Sequence, residues 1–376
     1  MKAVIQQSLK KLSYTFIRAI GYFRPNLSAD VVHTALPQVP PYTLPMPVNA
    51  AQLPEPYRQQ FGEELSWPER QVYLLHNVHV SWHGIVFKNL RLFQPSVSPL
   101  VTLEAEFSGS FLLRQWWGEH QTVKSSEIIG LAHGPWSVGN YYHWMVDTLP
   151  RLLLLKQYYP DCRLLVPENL PAYARETAAI FGFNRFLPFK QGSIGAIQNL
   201  AVSGYAATSG YQDAPMIRAV RKKVLQSFGI QSPSGGRRIY VSRSRQHMRR
   251  LLNEADIRPL LQQYKFETVF FEDMTFEEQV RVMHEASVLV GVHGANLTNM
   301  LFMGAKTTVV ELMYMNKVEK VFNPCYYHLA FALELAYYNV PCRNSGPEAA
   351  VDTNDGDLEI DPADLQKIFS ALFAKN

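Results

Sequence analysis

The distribution of apolar and polar residues predicts two kinds of sheet in this chain. Between residues 72 and 111, stretches such as VYLLHNVHV and GIVFKNLRLF alternate apolar and polar positions, which is typical of strands in hairpins. Beyond residue 236 short apolar runs (RIYVSR, FETVFFE, SVLVGV, TTVVELM) alternate with helical segments (NEADIRPLLQQY, TFEEQVRVMHEA, NLTNMLFMGA). This second pattern predicts a parallel sheet with helices on both faces.

The pattern also suggests how the chain is divided. SSEIIGLAH predicts a buried strand, and the segment from Gly139 predicts a helix with a kink at Pro150. QSPSGG, residues 231–236, has the composition of a linker. We therefore predict four parts: a basic amphipathic helix (1–24), a domain with hairpins followed by alternating strands and helices (25–230), a domain of alternating strands and helices (231–345), and a polar segment with a final helix (346–376).

The first 24 residues have apolar side chains at helical spacing, accompanied by lysines and arginines. They lack the uninterrupted apolar stretch and the cleavage site of a signal peptide. A basic helix of this kind either lies in a membrane interface or covers the protein's own core. The sequence leaves both possibilities open.

Composition excludes several classes of protein. The formal net charge is only +4, from 36 basic and 32 acidic residues, so the composition is not that of a nucleic-acid-binding protein. The three cysteines form no CxxC pair, and no apolar run reaches the roughly 18 residues of a membrane span. We expect a cytoplasmic protein.

Polar residues follow the predicted strands of the second half. Arg243 and Arg245 follow IYV, Glu272 follows TVFF, His293 follows LVGV, and Glu311 follows TVV. Because ligands of such sheets bind beyond the carboxyl ends of the strands, these side chains are predicted to share one edge.

The segment VGVHGANLTN predicts an anion site. Gly294 allows close approach of a ligand, and the amides of Ala295, Asn296 and Leu297 begin a helix. Arg243 and Arg245, which follow the predicted strand RIYV, suit a diphosphate. Neither GxGxxG nor the P-loop pattern is present. An ordinary strand-to-helix turn is the alternative, and Glu311 either binds a ribose diol or forms an ion pair.

The segment GNYYHWMVDTLPR contains the second candidate site. On a helix, His143 and Asp147 share a face, and a carboxylate that holds an imidazole makes it a better base. The alternative is that His143 and Asp147 are a buried pair whose only role is to satisfy each other's hydrogen bonding. Two metal ligands without a third are weak support for a metal site.

Four blocks, in order, resemble the glycosyltransferase family 61 domain. They are NYYHWMVDTLPRL, RRIYVSRSRQHMRRLLNE, FEEQVRVMHEASVLVGVHGANLTNMLFM and VVELM, and the resemblance covers roughly residues 72–312. The family includes bacterial polysaccharide-building enzymes and eukaryotic N-acetylglucosaminyl- and pentosyltransferases. The resemblance implies a GT-B fold, with two Rossmann-like domains facing each other across a cleft, and an inverting transfer from a nucleotide sugar.

The resemblance also implies roles for particular residues. The C-terminal domain would hold the donor through Arg243 and the turn from His293 to Asn296, with Glu311 on the ribose. Asn140 and Trp144 would lie on the acceptor side, in the N-terminal domain. His143 is expected to be the base and Asp147 its orienting partner, or the reverse.

The expected partners and cofactors follow from the same resemblance. No DxD follows a strand of the donor half, so no metal is required. The acceptor would be a lipid-linked or polymeric glycan of bacterial surface polysaccharide, such as a capsule, made at the inner membrane face. Two alternatives remain: a phosphate-ester hydrolase, and a nucleotide- or glycan-binding module without turnover.

Overall fold

The computed structural model describes residues 27–88, 91–98, 120–123, 126–231, 236–314, 323–345 and 355–374. The predicted helix of residues 1–24, most of the linker 231–236, the start of the polar segment at 346 and the end of the predicted hairpin region lie outside these ranges. The chain divides into two compact units. Unit 1 comprises Met1–Pro40 and Trp67–Ser209, and unit 2 comprises Pro41–Ser66 and Gly210–Asn376.

The strands are β1 Val31–Leu36, β2 Val39–Thr43, β3 Glu64–Trp67, β4 Arg70–Ser81, β5 Val86–Lys88, β6 Arg91–Leu92, β7 His120–Val123, β8 Ile129–Leu131, β9 Arg163–Pro167, β10 Phe186–Phe189, β11 Ile194–Ser203, β12 Arg237–Val241, β13 Glu267–Val269, β14 Ala286–Val292, β15 Thr308–Tyr314, β16 Ala336–Ser345 and β17 Asp357–Glu359. The α-helices are α1 Glu55–Arg58, α2 Tyr141–His143, α3 Leu149–Tyr158, α4 Ala172–Ile180, α5 Ala214–Ser227, α6 Glu254–Gln263, α7 Phe276–Glu285, α8 Cys325–Ala332 and α9 Pro362–Phe373. Short 3₁₀ helices cover Ala50–Gln52, Gln94–Ser96, Pro135–Ser137, Phe271–Asp273 and Ala295–Phe302.

Unit 1 is built on a mixed sheet in the order β10-β9-β8-β11-β4-β5-β6, with β1 paired to β4 and β7 to β11. Strands β8 to β11 run parallel, whereas β4 is antiparallel to β11. From β8 the chain moves outward to β9 and β10, then returns to place β11 on the other side of β8. Strand order therefore reverses between β8 and β11, which is where ligands of open α/β sheets bind.

The alternating residues of the hairpin strands and the apolar residues of β8 to β11 form the core of unit 1. Its buried side chains are Leu75, Val78, Val80, Val86, Phe93, Ile129, Leu131, Leu165, Leu187, Phe189, Ile197, Leu200 and Val202. The predicted hairpins are confirmed for β4, β5 and β6, because alternating residues of β4 are buried while their neighbours are more exposed.

Unit 2 is built on a six-stranded sheet in the order β13-β12-β14-β15-β16-β17. Its first five strands are parallel, and β17 is antiparallel to β16. Strands β14 and β15 are buried along almost their whole length, as expected where helices cover both faces. Strand order reverses between β12 and β14, so a second ligand crevice is expected beyond their carboxyl ends.

The boundary between the units differs from the predicted one. It lies between Ser209 and Gly210, not at the linker of residues 231–236. Helix α5 belongs to unit 2 because Arg218 donates to the carbonyl of Ala332, and Arg221 donates to that of Met303, each at 3.0 Å. A linker composition therefore marks a loop here and does not separate the two cores.

In the part of unit 2 after Gly210, α8, β16 and β17 were not predicted, and neither was α1 in the earlier part. Helix α8 is buried on nearly every side, so its sequence shows no amphipathic period that would distinguish it from a strand. The predicted final helix is confirmed as α9. Among the residues that the structure describes, no helix combines the length and the apolar character needed to cross a membrane.

Candidate active site

The helix that contains His143 has an irregular first turn. Asn140 caps it, with Oδ1 accepting a 3.4 Å bond from the His143 amide. After α2, residues Trp144–Thr148 form a π-helical turn that leads into α3. Pro150 in the first turn of α3 has no N–H to donate, so the regular pattern must adjust just before it. The predicted kink is thus a π-turn, a feature that is frequent at functional sites.

This turn brings His143 and Asp147 into direct contact. The distance from Nδ1 of the imidazole to Oδ2 of the carboxylate is 2.8 Å, and the two side chains are 17% and 5% exposed. A neutral ring that donates from Nδ1 has its lone pair on Nε2. The predicted pair is confirmed as a contact, with the carboxylate buried and the imidazole partly exposed.

Ser209 completes this cluster and was not predicted. Its Oγ donates to Oδ2 of Asp147 at 2.5 Å and lies 3.2 Å from Nδ1 of His143. One carboxylate oxygen therefore accepts from two side chains. Ser209 therefore helps to hold the Asp147 carboxylate in place as the acceptor that orients the ring.

Arg151, one further turn along the same helix, is fully buried. Its Nε donates to the carbonyl of Ser203 at 2.8 Å and Nη1 to that of His133 at 3.2 Å, while Nη2 has no hydrogen-bond partner. Ser203 ends β11 and His133 follows β8, so the guanidinium spans the crevice where strand order reverses. Burial lowers the pKa of Arg151, which the Tyr205 ring and Asp147 oppose.

Tyr205 forms the other wall around Arg151. The guanidinium carbon lies 4.3 Å from the centre of its ring, and burial raises the pKa of this phenol to about 12. A Cβ on Gly134 would lie 1.9 Å from the Tyr205 hydroxyl oxygen, so a side chain at that position would displace the ring. The cluster is tightly packed behind the His143 pair.

Trp144 does not have the surface position expected of an acceptor-side residue. It is 2% exposed, and its indole nitrogen donates to Thr177 Oγ1 at 2.8 Å. The prediction for Trp144 is therefore corrected: its ring belongs to the core, because a helix turns successive residues to different faces. Asn140 is exposed at the start of the same helix and stays an acceptor-side candidate.

The second candidate site lies in unit 2, beyond β12 and β14. Arg243 is 7% exposed, and a Cβ on Gly294 would lie 2.5 Å from its Nη1. Glycine is required there because the guanidinium occupies the space that a side chain would take. Burial, with Arg249 as a lesser cause, lowers the pKa of Arg243, so this cation is incompletely compensated. An anion is the ligand that would compensate it.

The turn after Gly294 supplies further donors. The Leu297 amide is already bonded to the Gly294 carbonyl at 2.9 Å, which corrects the prediction that it is free. The amides of Ala295 and Asn296 have no acceptor among the described residues. The side-chain Nδ2 of Asn296 is also buried without a partner. Unpaired N–H groups opposite a buried arginine have the chemistry to bind an anion.

His293 and Glu311 form a second buried pair. Nδ1 of His293 lies 2.5 Å from Oε1 of Glu311, and both side chains are at most 3% exposed. Oε2 of the same carboxylate accepts a 2.5 Å bond from Tyr337, whose hydroxyl also accepts from Asn339 at 2.8 Å. Both oxygens of Glu311 are engaged, so the predicted ribose contact is corrected: Glu311 orients His293.

Two other residues predicted to bind the sugar donor, Arg245 and Glu272, pair with neighbouring side chains at the surface. Arg245 is half-exposed, forms a 2.6 Å ion pair with Asp273 and lies over the Phe270 ring at 3.9 Å. Glu272 is exposed and accepts from Gln246. The rule that ligands bind beyond strand ends places both residues at the predicted edge of the sheet. Their side chains, however, contact neighbouring residues at that edge. Among the described residues, no group of three or more His, Cys, Asp or Glu side chains is arranged to hold a metal ion.

Comparisons with known proteins point to one family. Residues 141–310 match the family model described as Glycosyltransferase 61. The chain is 38% identical over 193 residues to "Protein O-linked-mannose beta-1,4-N-acetylglucosaminyltransferase 2" of Canis lupus familiaris, covering 49% of this chain and 31% of that protein. It is 30% identical over 112 residues to "EGF domain-specific O-linked N-acetylglucosamine transferase" of Bos taurus, covering 28% of this chain and 21% of that protein.

The chain thus spans less than a third of the length of these curated relatives. The matched segment nevertheless contains His143, Asp147, Arg243, His293 and Gly294, which come from both candidate sites. Over residues 141–310 the chain is therefore similar to the glycosyltransferases of family 61, as its four sequence blocks predicted.

Proposed function

We propose that this protein is an inverting glycosyltransferase that moves a sugar from a nucleotide-diphosphate donor to a hydroxyl of a glycan acceptor. The observation that supports the proposal most directly is the pairing of His143 with a buried carboxylate at 2.8 Å, inside the segment that matches the family. We also propose a GT-B arrangement, because each unit has parallel strands with a crevice at the point where strand order reverses.

In the proposed reaction His143 is the base. Its Nδ1 is fixed on Asp147, so Nε2 accepts the proton of the acceptor hydroxyl as that oxygen attacks the anomeric carbon. The bond from this carbon to the donor phosphate breaks as the new bond forms on the opposite face, and the nucleotide diphosphate leaves. Asp147 accepts from both His143 and Ser209, which suits an orienting group better than a base.

The leaving diphosphate gains negative charge, and the unit 2 site is where we propose that it binds. Arg243, the amides of Ala295 and Asn296, and the unpaired Asn296 side chain would donate to its oxygens. His293, held by Glu311, lies at the end of β14 next to this turn. This donor set needs no metal ion in the proposed mechanism.

The relatives named above transfer N-acetylglucosamine according to their names, so we propose this sugar as the first donor to test. Pentoses and other hexoses are the alternatives. A bacterial surface polysaccharide as acceptor, a cytoplasmic location and membrane contact through residues 1–24 stay predictions of the sequence. A truncated protein starting at residue 25 that still co-sedimented with anionic liposomes would contradict the last of these.

Donor binding is the first test. Nucleotide diphosphates and nucleotide sugars are screened by thermal shift, with and without manganese. A ligand at a hundred times its Kd adds about 2.7 kcal/mol to the free energy of unfolding. We expect stabilisation by one nucleotide family, lost in Arg243→Ala and retained in Arg245→Ala. No stabilisation by any nucleotide would reject a donor site in unit 2.

Turnover is the second test. His143→Ala and Asp147→Asn should retain the nucleotide thermal shift and lose transfer by about 10²–10⁴-fold, the usual contribution of a base. His76→Gln is the matched control, because His76 is bonded through Nδ1 to Asn199 and is remote from the proposed chemistry. Nucleotide binding with unchanged activity in both variants would refute the assigned base. Phosphate release without glycoside formation would favour the hydrolase.

A further inference from the structure

A groove in unit 1 has no role in the chemistry described so far. Its volume is about 290 Å³, near the lower limit of the roughly 300–1,000 Å³ of small-molecule sites. Three segments line it: residues 67–73, residues 94–98 and residues 204–208. We call it the β4 groove, after the strand whose first residues line it.

The topology of the sheet explains where the groove lies. Strand β4 is antiparallel to β11, and Ser203 at the end of β11 pairs with Val72 near the start of β4. The start of β4 and the segment that follows β11 are therefore at the same edge of the sheet. The segment that leads to His143 leaves β8, the neighbour of β11 on its other side, at this edge too.

The groove is lined by the side chains that usually bind sugars. Partly exposed aromatic rings come from Tyr73 and Tyr205, whereas Trp67 is buried, and primary amides come from Gln71 and Gln94. Aromatic faces pack against the apolar faces of sugar rings, and amides both donate to and accept from hydroxyl groups. The combination suits a ligand with many hydroxyl groups.

Several of these side chains are already fixed in place. The Tyr73 hydroxyl donates to Gln71 Oε1 at 2.8 Å, and Gln71 Nε2 donates to Glu69 Oε1 at 3.0 Å. Tyr205 is held by the buried guanidinium of Arg151 against its ring. Side chains ordered before binding lose less conformational entropy when a ligand arrives.

The charge of the groove argues against a phosphate ligand. Its lining contains one acidic side chain, Glu69, and one basic side chain, Arg70. Arg70 is 5% exposed, and its Nη1 donates to the carbonyls of Pro37 and Pro68. The groove therefore presents no accessible cation that would bind a diphosphate, and a neutral ligand fits it better.

Ser209 connects the groove to the proposed base. Thr208 and Ser98 line the groove, and the amide of Ser209 donates to Ser98 Oγ at 3.3 Å. The side chain of Ser209 bonds to Asp147 at 2.5 Å and lies 3.2 Å from His143. Ser209 thus contacts both the lining of the groove and the His143–Asp147 pair.

We propose that the β4 groove binds the acceptor, a neutral oligosaccharide, through the sugar next to the one whose hydroxyl reacts. This inference rests on the proposed glycosyltransferase function and adds the class of acceptor and the residues that select it. Gln71, Gln94 and Tyr73 determine acceptor affinity, whereas unit 2 binds the donor.

Saturation-transfer difference NMR tests the proposal, because it detects weak sugar binding. The probes are four neutral trisaccharides: chitotriose, xylotriose, maltotriose and mannotriose. We expect at least one of them to receive saturation from the protein, and Gln71→Ala and Gln94→Ala to raise its Kd at least fivefold. Gln157→Ala, which removes an exposed glutamine of α3 in the same unit, is the matched control and should bind the sugar as the original protein does.

Three results would overturn the proposal. The first is that none of the four trisaccharides binds. The second is that Gln71→Ala and Gln94→Ala leave the Kd unchanged. The third is that a nucleotide diphosphate alone displaces the sugar, which would assign the groove to the donor. The nucleotide thermal shift is measured on the same preparation. If nucleotides bind and sugars do not, the groove assignment alone fails, and if neither binds, the proposed function fails with it.

Discussion

Arg151 provides the sharpest test of the unit 1 crevice. Replacement by methionine removes a fully buried cation while filling a similar volume. The carbonyls of Ser203 and His133 lose their donors, and an unpaired buried acceptor costs about 1–3 kcal/mol. The stacking on Tyr205, at 4.3 Å, contributes about 1–2 kcal/mol when desolvated.

One effect acts in the opposite direction. Burying a guanidinium costs several kcal/mol, and Nη2 recovers none of that cost because it has no hydrogen-bond partner. We expect Arg151→Met to lower the free energy of unfolding by about 3 kcal/mol, the lower part of the range for breaking a buried charged cluster. Arg151→Lys should lose about half as much, since an ammonium group retains one of the two carbonyls.

The assay is urea unfolding followed by tryptophan fluorescence. All six tryptophans of the sequence lie between Trp67 and Trp144, so the signal reports unit 1. Arg175→Met is the control, because Arg175 is exposed over the Phe186 ring, and its loss should cost less than about 0.5 kcal/mol. A loss below about 1 kcal/mol for Arg151→Met would show that the crevice does not depend on this cation.

Three further predictions follow from contacts of single side chains. Gly294→Ala places a Cβ 2.5 Å from Arg243 Nη1, so nucleotide affinity should fall at least tenfold by thermal shift while urea stability changes little. Trp144→Phe removes a buried indole hydrogen bond and should lower the free energy of unfolding by about 1–2 kcal/mol. Thermal unfolding followed by circular dichroism measures this loss, because that signal does not depend on the tryptophan removed. Burial lowers the pKa of His133 and of His328 from 6.5 to about 4, so the unfolded chain binds protons first as the pH falls, and stability should decrease by about 1.5 kcal/mol per histidine between pH 6.5 and 5. An unchanged urea midpoint over that interval, followed by circular dichroism so that both units are reported, would contradict the burial of both rings.

The parallel sheet of unit 2 could be predicted because its strands are covered on both faces. Such strands contain uninterrupted apolar runs, and the alternation with amphipathic helices then determines the order of elements. The rule that ligands bind beyond strand ends correctly placed Arg243 and His293 at one edge. Glu311 was misplaced because β15 continues past it to Tyr314, so it lies within the sheet and not after it.

In unit 1 the contact within one helix could be predicted, and the contacts across the fold could not. His143 and Asp147 are four residues apart, and Arg151 follows at the same spacing, so the pattern already contained it. Ser209 is 62 residues from Asp147 and meets it only because the sheet places the end of β11 beside that of β8. Sequence periodicity contains no information about such a contact.

The two candidate sites use the same pair of groups, and their neighbours decide what each pair does. In both, Nδ1 of a histidine lies against a buried carboxylate, so the ring is held with Nε2 directed elsewhere. Next to His293 are Arg243, whose pKa is lowered by burial, and the amides of Ala295 and Asn296, which have no acceptor among the described residues, and these groups suit an anion. Next to His143 no arginine forms an ion pair with Asp147 among the described residues, and the imidazole is the more exposed member of its pair. The cationic surroundings of His293 favour holding a leaving phosphate. The surroundings of His143 favour removing a proton from a neutral hydroxyl. If the roles were reversed, His293→Ala would abolish transfer without weakening nucleotide binding, and His143→Ala would do the opposite.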